Sequence, residues 1–128
     1  MFESVKSEFL TKAKENIKAA EVLFENQLYN ACANRAYYAA FQAAIAALTA
    51  IGIETDRLSH DAIQANFAVE FIQRRKIYPS HLKSYLMDLQ AVRDDADYKG
   101  RLVSKKVTLR QLRKAKEFVE RVEQEIRT

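Results

Sequence analysis

The 128-residue sequence has one cysteine, one proline, two glycines and no tryptophan. With Cys32 alone no intrachain disulfide can form, and its place inside an apolar stretch marks a buried thiol in a reducing compartment, expected to be the cytoplasm. Scarce Gly and Pro argue against a turn-rich all-β chain and favour long helices joined by short connections. Gly52 and Gly100 cannot form a glycine-rich phosphate loop, and His60, His81 and Cys32 have no zinc spacing. Neither a cofactor nor a metal is therefore expected. The opening MFESVKSEFLTK alternates charge without a continuous apolar core, unlike a signal or transit peptide. The charge-free run from Ala36 to Ile53 is rich in weakly apolar alanine and contains Gln42 and Thr49. A membrane span needs about 20 predominantly apolar residues, so no membrane role is expected.

Hydrophobic residues make up 48% of the chain and charged residues 30%, which suits one domain, residues 1–128, around one core. Phe2, Val5, Phe9, Ala13, Ile17, Ala20 and Phe24 recur every three or four residues and predict an amphipathic first helix. Asn26-Gln27 interrupts it, and Leu28 to Ile51 is apolar nearly all round, with Gly52 as C-cap, as befits a central helix. Ser59 caps a third helix bearing Ile63, Phe67, Phe71 and Ile72, and Pro79-Ser80 opens a fourth. Thr108 with Gln111 matches a capping box before Leu109, Leu112, Ala115, Val119 and Val122. The expected fold is all-α: an up-and-down four-helix bundle plus a fifth helix, with a terminal helix the candidate for a peripheral place.

Two arginines interrupt these apolar patterns. Leu82, Leu86, Leu89, Arg93 and Ala96 follow helical spacing, which puts Arg93 on the packed face. Asp97, four residues on, is its local carboxylate. Tyr98, five residues on, lies about 140° round an ideal helix, so convergence with Arg93 is expected only if the helix unwinds or a second subunit contributes. In NACANRAYYAAF, Asn34 and Arg35 stand among alanines and aromatics. A buried arginine requires a partner: Arg35 should meet Asp94, Asp95 or Asp97, or else face the bundle edge.

Three stretches, NRAYYAAFQAA, the SHD of Ser59 to Asp61 and the RDDADY of Arg93 to Tyr98, resemble the HEPN superfamily of small helical proteins. The likeness runs from Phe9 to Val122 and is nearest to the stand-alone branch encoded beside a minimal nucleotidyltransferase. The resemblance implies a homodimer and, in many members, a metal-independent ribonuclease toxin restrained by that nucleotidyltransferase as antitoxin. Its active branches follow an arginine, after four to six residues, with a histidine, and the dimer brings the two motifs together. Arg93 matches the arginine, but Tyr98 stands where four intervening residues would place the histidine. Imidazole, with a pKa of about 6.5, exchanges protons near neutrality far better than a phenol at about 10. Tyr98 can still donate to phosphate while Arg93 stabilises charge.

His60 belongs to the resemblance through SHD, whereas His81 lies about 18 Å before Arg93 along a straight helix. Lys99, Arg101, Lys105, Lys106, Arg110, Arg113, Lys114 and Lys116 form a run without an acid, eight cations in a chain of net charge +4, so the remainder carries −4. Such a run suits a nucleic-acid backbone, though no aromatic interleaves it for base stacking. The sequence therefore points to an RNA-directed toxin or ribonuclease-like protein with Arg93, Asp97 and Tyr98 as candidate catalytic residues. Asn34, Arg35, His60, Lys99, Arg101, Lys105, Lys106 and Arg110 are candidate binding residues. The alternative is a non-catalytic module that binds a nucleotide or the nucleotidyltransferase.

Overall fold

A computed structural model describes the backbone of residues 2–100 and 102–127 and the side chains of 6–100 and 102–126. Five α-helices follow one another: α1 (Phe2–Glu25), α2 (Tyr29–Ala50), α3 (His60–Phe67), α4 (His81–Tyr98) and α5 (Lys105–Arg127). A π-helical segment, Ala68–Arg74, prolongs α3. Periodicity alone marks one helical stretch here and gives no sign of the wider winding.

The four long helices run up and down. Lys14 pairs with Glu123 and Glu21 with Lys116, so α1 and α5 are antiparallel. His81 meets Glu117 while Asp88 meets Lys114, which makes α4 and α5 antiparallel. Asn30 bonds Ala96, and Tyr38 bonds Arg93, fixing α4 antiparallel to α2. The central place of α2 follows from composition: eight of its alanines, from Ala33 to Ala47, are buried, and their short side chains let α1, α4 and α5 come close. Leu82, Leu86 and Leu89 of α4 and Ala115, Phe118, Val119 and Val122 of α5 close the core. Both terminal helices thus belong to the bundle, and the short internal α3 is the additional helix. It lies across α2 and α4 and sends Ile63 and Phe67 inward.

Helix ends are set by local chemistry. The Ser59 hydroxyl accepts from the Ala62 amide at 3.1 Å, as its sequence position predicts. After α2, Gly52 takes φ +89°, and its amide and that of Ile53 return to Thr49 and Leu48. The end of α1 repeats this motif with Gln27 at φ +62°. The Thr108–Gln111 capping box is not used. Ser104 caps α5 instead, accepting from the Val107 amide, while buried Thr108 donates to the Ser104 carbonyl from within the first turn. Gln111 is committed elsewhere, to Asp88 of α4 at 2.9 Å. Among the described residues no helix is long and apolar enough to cross a membrane.

Candidate functional site

One face of α2 builds the site. Asn34, Tyr37, Tyr38 and Phe41 lie three, four and seven residues apart, hence on one side, and α4 and α3 pack against it. Arg93 enters from α4 with only 14% of its side chain exposed. One terminal nitrogen donates to the Asp94 carboxylate at 2.9 Å, and the other donates to the Tyr38 hydroxyl at 2.8 Å. Its Nε lies 3.2 Å from Asp97 Oδ2, an ion-pair distance, but without hydrogen-bond geometry. Asn34 donates to that same Asp97 oxygen at 3.1 Å. Burial opposes the charge on Arg93, but the Tyr38 phenol, Asp94 and Asp97 outweigh it and hold the guanidinium more firmly protonated than a free arginine.

Three tyrosine rings surround this cation: Tyr38 at 5.2 Å, Tyr37 at 5.5 Å and Tyr98 at 5.9 Å from the guanidinium carbon. Tyr98 therefore reaches Arg93 within one subunit while α4 stays helical through Tyr98, contrary to the sequence expectation. A long guanidinium side chain and a large ring bridge the angular gap that ideal backbone positions leave. Tyr98 is otherwise 75% exposed.

His60, the first residue of α3, joins the site from the other side. Its Nδ1 lies 2.9 Å from the Tyr37 hydroxyl, and its ring stacks on Phe41. Tyr37 is thus in contact with both Arg93 and His60. Burial pushes its phenol up to about 12, so it stays protonated at neutral pH. Tyr37 and Tyr38 were not singled out from sequence, although their spacing from Asn34 was a readable signal. Gln64 of α3, hydrogen-bonded to Gln90 of α4, completes the neighbourhood.

The other candidates divide. Arg35 is exposed on a different face of α2 and donates to Asn16 of α1 at 3.1 Å. It meets none of Asp94, Asp95 and Asp97, because Asn34, Tyr37 and Tyr38 occupy the surface facing α4. Lys99 pairs with Asp95 at 3.4 Å. Arg101 lies outside the described residues. Lys105, Lys106 and Arg110 are exposed on the first turns of α5. Asn30 brings that region toward the site, bonding the Ala96 carbonyl and the Val103 amide from the first turn of α2. His81 bonds Glu117, well along α5. Cys32 is buried, and burial pushes its thiol up to about 11. Among the described residues no cluster of His, Cys, Asp and Glu could hold a metal ion.

The HEPN domain family matches residues 7–125, nearly the whole bundle and all of the Arg93 site. The chain belongs to the HEPN domain family. A curated relative, "Putative toxin MJ0605" of Methanocaldococcus jannaschii, is 38% identical over 60 residues. That segment is 47% of this HEPN chain and 43% of the relative, so the match spans less than half of either protein.

Proposed function

We propose that this HEPN protein acts on RNA as the toxin half of a two-protein module. In this reading the ribose-phosphate backbone binds at Arg93 in the cleft of a homodimer, and a nucleotidyltransferase partner restrains the activity. The carrying observation is the setting of Arg93: a permanently charged side chain on a leucine seam, clamped by Tyr38, Asp94 and Asp97. Guanidinium has five N–H donors. With one donor of each terminal nitrogen engaged, each retains a second N–H for phosphate oxygen. The name of the relative agrees with a toxin role.

The chemistry needs no metal. The RNA 2′-oxygen attacks the adjacent phosphorus, its proton passes to a base, and the 5′-oxygen departs with a proton, leaving a 2′,3′-cyclic phosphate. Arg93 stabilises the charge that builds on phosphorus-bound oxygen. His60 is the nearest imidazole on the α2 face and supplies the proton acceptor, while the exposed Tyr98 phenol donates to the leaving oxygen. Asp94 and Asp97 outnumber Arg93 locally, so one subunit alone is a poor anion site. A second copy of the motif across a two-fold axis, with Lys105, Lys106 and Arg110, restores positive potential.

A non-catalytic nucleotide- or partner-binding reading is favoured by two observations: His60 Nδ1 is engaged by Tyr37, and a phenol, Tyr98, and not an imidazole stands beside Arg93. Labelled RNA incubated with the protein in chelator, beside Arg93→Met, separates the readings. Cleavage lost in the variant supports the ribonuclease, Arg93-dependent binding without cleavage supports the binding module, and neither activity removes the RNA reading. Light scattering at micromolar concentration should give a dimer; a monomer overturns the dimer cleft.

A further inference from the structure

Beyond His60, on the side turned away from Arg93, a cleft of about 520 Å³ opens between α1, α2, the connection after α2 and α3. It falls within the range of small-molecule sites, about 300–1,000 Å³. Of its lining, the RNA reading uses only His60. Phe41, Ile45 and Thr49 line it along one face of α2, and Ile63 and His60 line it from α3. The two ends differ in chemistry. Toward Phe41 the wall is aromatic and aliphatic, with the His60 ring stacked 4.1 Å from that of Phe41. Toward Thr49 the connection after α2 adds acceptors, with Glu54 and Asp56 at the rim, and among the described residues no Lys or Arg lines the cleft. The C-terminus of α2, the negative end of the helix dipole, lies at this same end. Thr49 is 2% exposed, and its hydroxyl has no hydrogen-bond partner among the described residues. A buried hydroxyl left in that state is costly and marks a position where a ligand donor would be gained.

We propose that this cleft binds a small amine with an aromatic or branched aliphatic body. The body lies on Phe41, Ile45 and Ile63, and the ammonium points to Thr49, Glu54 and Asp56. The two carboxylates at the rim repel a phosphate-bearing ligand, so this site is chemically distinct from the one at Arg93. It also does not depend on the RNA reading.

Two probes of similar shape and opposite charge, 2-phenylethylamine and 3-phenylpropionate, test this on the full chain by methyl NMR of Ile45 and Ile63. The amine should shift both residues along a saturating curve, and the carboxylate should not. The double variant Glu54→Gln, Asp56→Asn, altered only at exposed positions, should weaken the amine about fivefold or more. Thr49→Val should weaken it while keeping the melting temperature at or above that of the parent. Arg93→Met should leave amine binding unchanged. Equal response to both probes, response to neither, or full affinity in both cleft variants overturns the proposal.

Discussion

Replacing Arg93 with Met separates a site residue from an architectural one. The change removes one hydrogen bond to Tyr38 and two ion pairs, to Asp94 and Asp97. The carboxylates are 44% and 28% exposed, so water screens both pairs, and each contributes about 0.5–1 kcal/mol. The Tyr38 hydrogen bond adds about 1 kcal/mol. Against this loss of about 2–3 kcal/mol, a thioether at a position only 14% exposed recovers about 1.5–2 kcal/mol of apolar burial. The net cost is about 1 kcal/mol, a fall in melting temperature of about 3–6 °C. Losing a charge-assisted bond to phosphate costs about 1.5–3 kcal/mol of binding, or roughly 10- to 100-fold in affinity. Differential scanning fluorimetry and fluorescence anisotropy on labelled RNA, with the same protein samples, read both quantities. A folded Arg93→Met protein with undiminished RNA affinity refutes the site role. A stability loss above about 4 kcal/mol refutes the screening on which the estimate rests.

Exchanging Lys105, Lys106 and Arg110 for Ala should weaken RNA binding and flatten its log–log salt slope by about 2, at roughly 0.7 per phosphate contact on a single strand; an unchanged slope in a salt titration removes these residues from the interface. At Asp88, burial opposes the charge, but bonds from Gln111 and Lys114 and the nearby charges of Lys114 and Arg110 outweigh it, holding the carboxyl below its ordinary value. That stabilisation is fully present above the unfolded value of about 3.9 and is lost as pH falls through the lower folded value. Asp88→Asn should therefore cost about 0.5–1 kcal/mol at pH 7, with the gap to the parent closing below about pH 4 in urea melts. Gln27→Gly should gain about 0.5–1 kcal/mol by relieving a left-handed residue at the end of α1, seen as a higher urea midpoint.

What could be read from sequence was whatever depended on short-range periodicity. Arg93 follows Leu82, Leu86 and Leu89 at helical spacing, so its packed position and the nearness of Asp97 needed only 3.6 residues per turn. Ser59 and Gly52 announced themselves because capping is local. The misplaced start of α5 shows the limit of such signals: Ser104 and Thr108 both suit a cap, and burial of Thr108 on the packed face decides between them. The link between His60 and Tyr37 joins residues 23 apart across two helices, and no spacing rule reveals it. Arg35 takes the second of its two expected places, the edge of the bundle, for a related reason. Neighbours in sequence point about 100° apart on a helix, and which of Asn34 and Arg35 faces α4 depends on how the helices dock.

The alanines of α2 have a bearing on precision. A methyl side chain has no χ rotamers to exchange, so an alanine contact offers the neighbouring helix no alternative seat. The alanines of α2 therefore act as fixed spacers within the bundle, while its surface facing α4 is given over to Asn34, Tyr37 and Tyr38. Tyr38 and Asn34 are carried on α2 and meet Arg93 and Asp97 of α4 directly. The guanidinium is thus presented from a helix whose packed neighbours have few alternative rotamers to exchange.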